Sequence, residues 1–205
     1  MQGRTLISLT ALMVVTLTAS AQTRKNWRDR AEYDLYSEIV RPDITLVERL
    51  QDLDKWKVLY PESEFADTRL RMYLLTYQEM NNRRAAFDTA GEILKKQPND
   101  LASLGEIVEH GVHLLPDQAN ASLSSQNKND LDTIQRTSRY ILDNLDLIYA
   151  IRRENGTAGI AREFGRGDAI RYWELRISDA TWPKSKLQRS AQTAIDRAAA
   201  LATQN

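Results

Sequence analysis

The sequence predicts an all-α fold. Three observations carry that prediction. Apolar residues recur at three-and-four spacing through almost every segment of the 205-residue chain. No segment alternates with the period of two that a half-buried strand needs. Prolines stand where helical patterns stop, at Pro42, Pro61, Pro98 and Pro116.

In chain order, the first 21 residues read as a secretory signal: Arg4 at the start, an uncharged run from Leu6 to Thr18, and Ala19-Ser20-Ala21 before an expected cleavage at Gln22. The apolar run is too short to span a bilayer comfortably. An exported protein, periplasmic or secreted and soluble once cleaved, is the expectation. From Trp27, the residues Ala31, Leu35 and Ile39 are spaced by fours and predict a helix stopping at Arg41, before Pro42. Asp43 is the expected cap of a second helix with the stripe Leu46, Leu50, Leu53, Trp56, Leu59 and Tyr60.

Residues 67–98 predict a helix hairpin turning at Met80-Asn81-Asn82. Its apolar faces are Leu70, Tyr73, Leu74 and Tyr77, then Ala86, Phe87, Ala90, Ile93 and Leu94. Such a hairpin cannot bury both faces alone and requires stacked neighbours. A further helix is expected from Asp100 to Leu115. Residues 116–129, rich in Asn, Ser and Gln, read as a polar linker. Helical patterns then run from Asp130 to Arg153, from Asp168 to Ala180 and from Pro183 to the end, with glycines at 156, 159, 165 and 167 breaking the middle. The domain reading is thus 1–21 signal, 22–115 helical repeats, 116–129 linker and 130–205 a C-terminal helical segment packing on the repeats.

Composition narrows the function. With 28 Lys plus Arg against 28 Asp plus Glu, there is no basic excess to favour nucleic acid or an anionic membrane surface. With no cysteine, thiol nucleophiles and disulfides are excluded. Gly165-x-Gly167 lacks a third glycine and follows no strand, so it is no phosphate cradle. No Gly-x-Ser-x-Gly elbow exists, and no motif calls for a cofactor. Glu106, Glu109, His110 and His113 lie within two helical turns and could in principle ligate a metal ion. They match no zinc spacing, Gly111 weakens the helix between them, and they read as a solvated patch. Tyr33, Tyr36, Trp56, Tyr73 and Tyr77 are expected to pack rather than to bind.

Aligned on Pro61 and Pro98, residues 67–100 fit a 34-residue repeat through Leu70, Tyr73, Leu74, Tyr77, Ala86, Ala90, Ile93 and Pro98. Residues 30–61 match through Tyr33, Tyr36, Leu53, Trp56 and Pro61, with Arg49 where a small residue is usual, and Leu104, Ile107 and Val108 begin a third unit. Over roughly Trp27 to Leu115 the chain therefore resembles the tetratricopeptide-repeat superfamily. The run from Trp27 to Tyr36, with Leu53 to Ser63, is similar to exported bacterial tetratricopeptide-like proteins. The resemblance implies a right-handed α–α superhelix of degenerate hairpins with additional C-terminal helices, and a concave surface for a peptide or protein segment. It places on that surface Asp34, Glu38, Thr68, Arg71, Leu75, Gln78, Glu79, Glu109 and His113. The functional expectation is a non-enzymatic scaffold or adaptor. The alternatives are a helical subunit of a cell-envelope complex, touching through Trp173, Trp182 and the Ala-rich tail, and a small metal-dependent hydrolase using residues 106–113.

Overall fold

The computed structural model describes residues 25–117, 123–164 and 182–202, with backbone alone over 151–164. Among these residues there are helices and turns and no strand, so the all-α class holds. The helices are α1 Arg30–Ile39, α2 Leu46–Leu59, α3 Ala66–Glu79, α4 Arg83–Lys96, α5 Leu101–Gly105, α6 Ser125–Phe164 and α7 Lys184–Ala202. The expected signal segment and the helix expected at 168–180 lie outside the described residues.

Helix starts follow local capping chemistry. Asp29 accepts from the amide of Glu32 and starts α1, so Trp27 precedes the helix and stacks on Phe65 with ring centres 3.9 Å apart. The cap of α2 is Thr45, not Asp43. The Thr45 side chain accepts from the Glu48 amide while the Glu48 carboxylate accepts from the Thr45 amide, a reciprocal pair that Asp43 has no Glu to complete. At the hairpin turn Asn81 adopts a φ of 55°, which Asn tolerates better than most residues, and Asn82 caps α4.

Two expectations about the middle of the chain are corrected. The expected helix from 100 to 115 is α-helical only over Leu101–Gly105, then a π-turn over Glu106–His110 and a 3-10 turn over Gly111–Leu114. The glycines at both borders lie against aromatic rings. A Cβ on Gly105 would fall 2.1 Å from the Trp182 ring, and one on Gly111 would fall 2.5 Å from Phe87. The expected linker ends sooner than its composition implies, because Ser124 accepts from the Asn127 amide at 3.1 Å and α6 starts at Ser125. That helix continues past Arg153 through Gly156 and Gly159 to Phe164; a helix-interior glycine costs only about 1 kcal/mol.

Packing proceeds in chain order. α1 lies on α2, α2 on α3, α3 on α4, α4 on α5 and the π-turn, and the π-turn on both α6 and α7. α7 runs antiparallel along α6: Tyr149 donates to the Trp182 carbonyl at 2.6 Å, and at the far end Arg197 reaches Asp117, which precedes α6. Two apolar clusters result. One gathers Leu35, Tyr36, Ile39, Leu53, Trp56, Met72 and Tyr73 from the first three helices, with Phe65 from the turn before α3. The other extends from Leu74 through Phe87, Ile107 and Ile141 to Leu187, Ala194 and Leu201. The Ala-rich tail is therefore core, with Leu187, Ala191, Ala194 and Ala198 fully buried, and Trp182 is buried as well. The apolar face of the tail is thus spent inside the fold while Gln188, Gln192 and Asp196 of the tail stay exposed, and Trp173 of the envelope-subunit alternative lies outside the described residues.

Candidate partner-binding site

The nine residues expected on a concave surface separate by what they touch. Asp34 and Glu38 are exposed on α1, paired with Arg30 and Arg41 of the same region. Thr68 is buried, with 4% exposure, so a partner has no access to it. Leu75 is half-buried and packs against the N-terminal cluster. His113 is exposed.

The other four link helices to one another. Glu79 accepts from Arg49 of α2 at 2.9 Å, which explains why an arginine stands at 49 where the repeat has a small residue. Arg71 reaches Asp100 at 3.1 Å and also donates to Gln97. Gln78 donates to the buried Glu106 carboxylate at 2.7 Å. Lys186 of α7 lies 3.0 Å from Glu109 Oε2, an ion pair without an aligned hydrogen bond. These contacts tie successive elements of the stack together. They also give Glu106 and Glu109, two of the four residues of the possible metal patch, different partners. Among the described residues no group of three or more possible ligands converges.

The aromatic residues pack as expected except one. Tyr36, Trp56 and Tyr73 are buried, whereas Tyr33 is 41% exposed with the Arg30 guanidinium over its ring at 5.3 Å. Burial pushes the Tyr73 hydroxyl well above its ordinary range, reinforced by its hydrogen bond to Asp54.

An open groove of about 660 Å³ lies elsewhere, between α4 and α6. The volume falls within the roughly 300–1,000 Å³ of ligand pockets. The two walls run parallel, since Arg84 meets Asp130 at one end and Tyr140 donates to Asn99 at the other, at 2.6 Å. Phe87, Leu94 and Leu104 form the floor. Arg84 closes one end with two bonds to the buried Asp130 carboxylate at 2.9 and 2.5 Å. That hydrogen-bonded pairing raises the Arg84 pKa above its ordinary value.

The comparisons leave the resemblance where the residues put it. No family model, curated protein or solved structure matches this chain.

The groove is what sequence reasoning missed. Its signal was present in α4, where Asp88, Gly91, Glu92 and Lys95 share a second face with a glycine at its centre. Only the placement of α6 beside that face turns it into a groove.

Proposed function

We propose that this chain is an exported, non-enzymatic scaffold of tetratricopeptide-like helix hairpins that binds a segment of a protein partner. The observation that carries the reading is the packing order. Helix pairs stack on successive neighbours and expose long helical faces, the arrangement from which helical-repeat proteins build extended binding surfaces. Export rests on the N-terminal 21 residues and their Ala19-Ser20-Ala21 pattern. No helix among the described residues is long and apolar enough to cross a membrane.

Site-specific photocrosslinking in the producing cell tests the reading. A crosslinker is placed singly at Asp34, Glu38 and His113 on the first-helix side, at Asn129 and Thr137 in the groove, and at Lys55 and Arg83 as exposed controls. The expected result is one reproducible protein captured from one of the two test sides and not from the controls. Capture from no position, or equal capture from all, overturns the scaffold reading. N-terminal sequencing of the exported protein is expected to begin at Gln22; a chain beginning at Met1 in the cell interior overturns the export reading.

A further inference from the structure

We propose that the groove between α4 and α6 receives an amphipathic helix from a protein partner, laid antiparallel to both walls with a small residue against Gly91. This rests on the scaffold reading and names its surface and the chemistry of the segment bound.

Gly91 is the first observation. A glycine inside a helix is less favourable than alanine, because it sacrifices more backbone freedom on folding. Gly105 and Gly111 are each accounted for by an aromatic ring occupying the space of a side chain. At Gly91, a Cβ would meet nothing within 4 Å. The fold itself therefore gives no reason for a glycine in the middle of α4. Its open side faces the groove, and the facing wall presents the short side chains Thr133 and Thr137, one turn apart. Close approach of a second backbone accounts for glycine there.

The second observation is the distribution of charge. Along the groove, Asp88 and Asp130 share Arg84 at the end where α6 begins, which leaves that end one net negative charge. Glu92 lies mid-groove beside Gly91, and Lys95 lies toward the other end with Arg136, itself paired with Asp132. A helix with an acidic first turn and a basic last turn complements its own dipole. Set antiparallel to α4 and α6, it also brings its basic turn to the net negative Asp88 end and its acidic turn to Lys95. From Gln126 to Tyr140 the α6 wall is about 21 Å long, enough for about four helical turns. The apolar floor of Phe87, Leu94 and Leu104 receives an i, i+3, i+4 apolar stripe. An extended strand would find no sheet edge to pair with, since both walls are helices with their backbone bonds already made.

The test uses the full chain and a labelled 16-residue synthetic helix with an acidic first turn, an alanine-centred apolar stripe and a basic last turn. Saturable binding by fluorescence anisotropy is expected, at least tenfold tighter than to the same peptide with its charges exchanged end for end. Gly91→Leu and, independently, Thr137→Trp should each weaken it at least tenfold without lowering the thermal midpoint. The double change Lys95→Glu with Arg136→Glu should reduce the preference between the two peptides. Equal binding of the two peptides, no saturable binding, or full binding by Gly91→Leu overturns the proposal. Photocrosslinks separate its failure from that of the scaffold reading. A partner captured from Asp34 or His113 but never from Thr137 removes the groove and leaves the scaffold; capture from nowhere removes both.

Discussion

Glu32 shows how much one buried charge can organise. It is fully buried, and one carboxylate oxygen accepts from the Trp56 indole at 2.9 Å while the other accepts from the Arg28 amide at 2.7 Å. Arg69 donates to the carbonyls of Trp56 and Tyr60 at the end of α2, at 3.3 and 2.9 Å, and burial lowers its pKa. Replacing Trp56 with Phe keeps most of the apolar volume but strips Glu32 of its indole donor. A loss of about 1–3 kcal/mol in urea unfolding is expected, the usual cost of an orphaned buried polar group. A change under about 0.5 kcal/mol would show that Glu32 has another partner.

Asp29, nearby, gives a pH dependence. The Glu32 amide bonded to its carboxylate, more than any other contact, holds its pKa below the ordinary 3.8, and the Tyr60 hydroxyl adds to the shift. A depressed folded-state value contributes stability that is present above 3.8 and lost as pH falls through the lower folded value. Glu48 behaves in the same sense through its bonds to Thr45. Melting temperature should therefore decline on acidification below about pH 4, and Asp29→Asn should flatten the decline. An unchanged slope in that variant would assign the acid sensitivity elsewhere.

At the scale of elements, helices with their own start and stop chemistry were legible and irregular ones were not. The hairpin at 67–98 could be read because Asn82 and Pro98 punctuate it and its apolar spacing is regular. For α2 the sequence points to Asp43, two residues early, because Asp43 is a good cap by type, whereas Thr45 is decided by its partner Glu48. Thr45→Ala removes that pair and should cost about 1 kcal/mol, measured by thermal or urea unfolding. The π-turn could not be read. At its border Gly105 lies against the ring of Trp182, 77 residues further along the chain, a contact no local pattern announces. Gly105→Ala should cost at least about 1–3 kcal/mol through overpacking. Adding Trp182→Leu to it should recover part of that loss, a non-additivity expected of touching residues. Strict additivity in the double-mutant cycle would mean the ring is not what Gly105 accommodates.

For the whole molecule, the all-α class was legible from periodicity because period is a property of the chain itself. The candidate site was legible only in part. Asp34, Glu38 and His113 are exposed as expected, but Arg71, Gln78, Glu79 and Glu109 engage Asp100, Glu106, Arg49 and Lys186. Polarity marks such residues, yet their partners lie up to 77 positions away and are assigned by the packing of whole helices. The same holds for the tail, whose buried alanines make deletion of residues 183–205 an unfolding event: loss of the cooperative melt is expected, and a deletion variant melting like the full chain would place α7 outside the core.

The partition of the apolar interior into two clusters, with α3 between them, has a kinetic consequence. Met72 and Tyr73 face one cluster and Leu74 the other, so α3 is the shared wall of two compartments that can open separately. Amide protons of α1 and α2 should exchange with deuterium through a partial opening that leaves α4 to α7 protected, because cooperative units of unequal stability open independently. In that event the boundary of fast exchange falls along the length of α3, and the chain holds a shorter, still folded protein within itself.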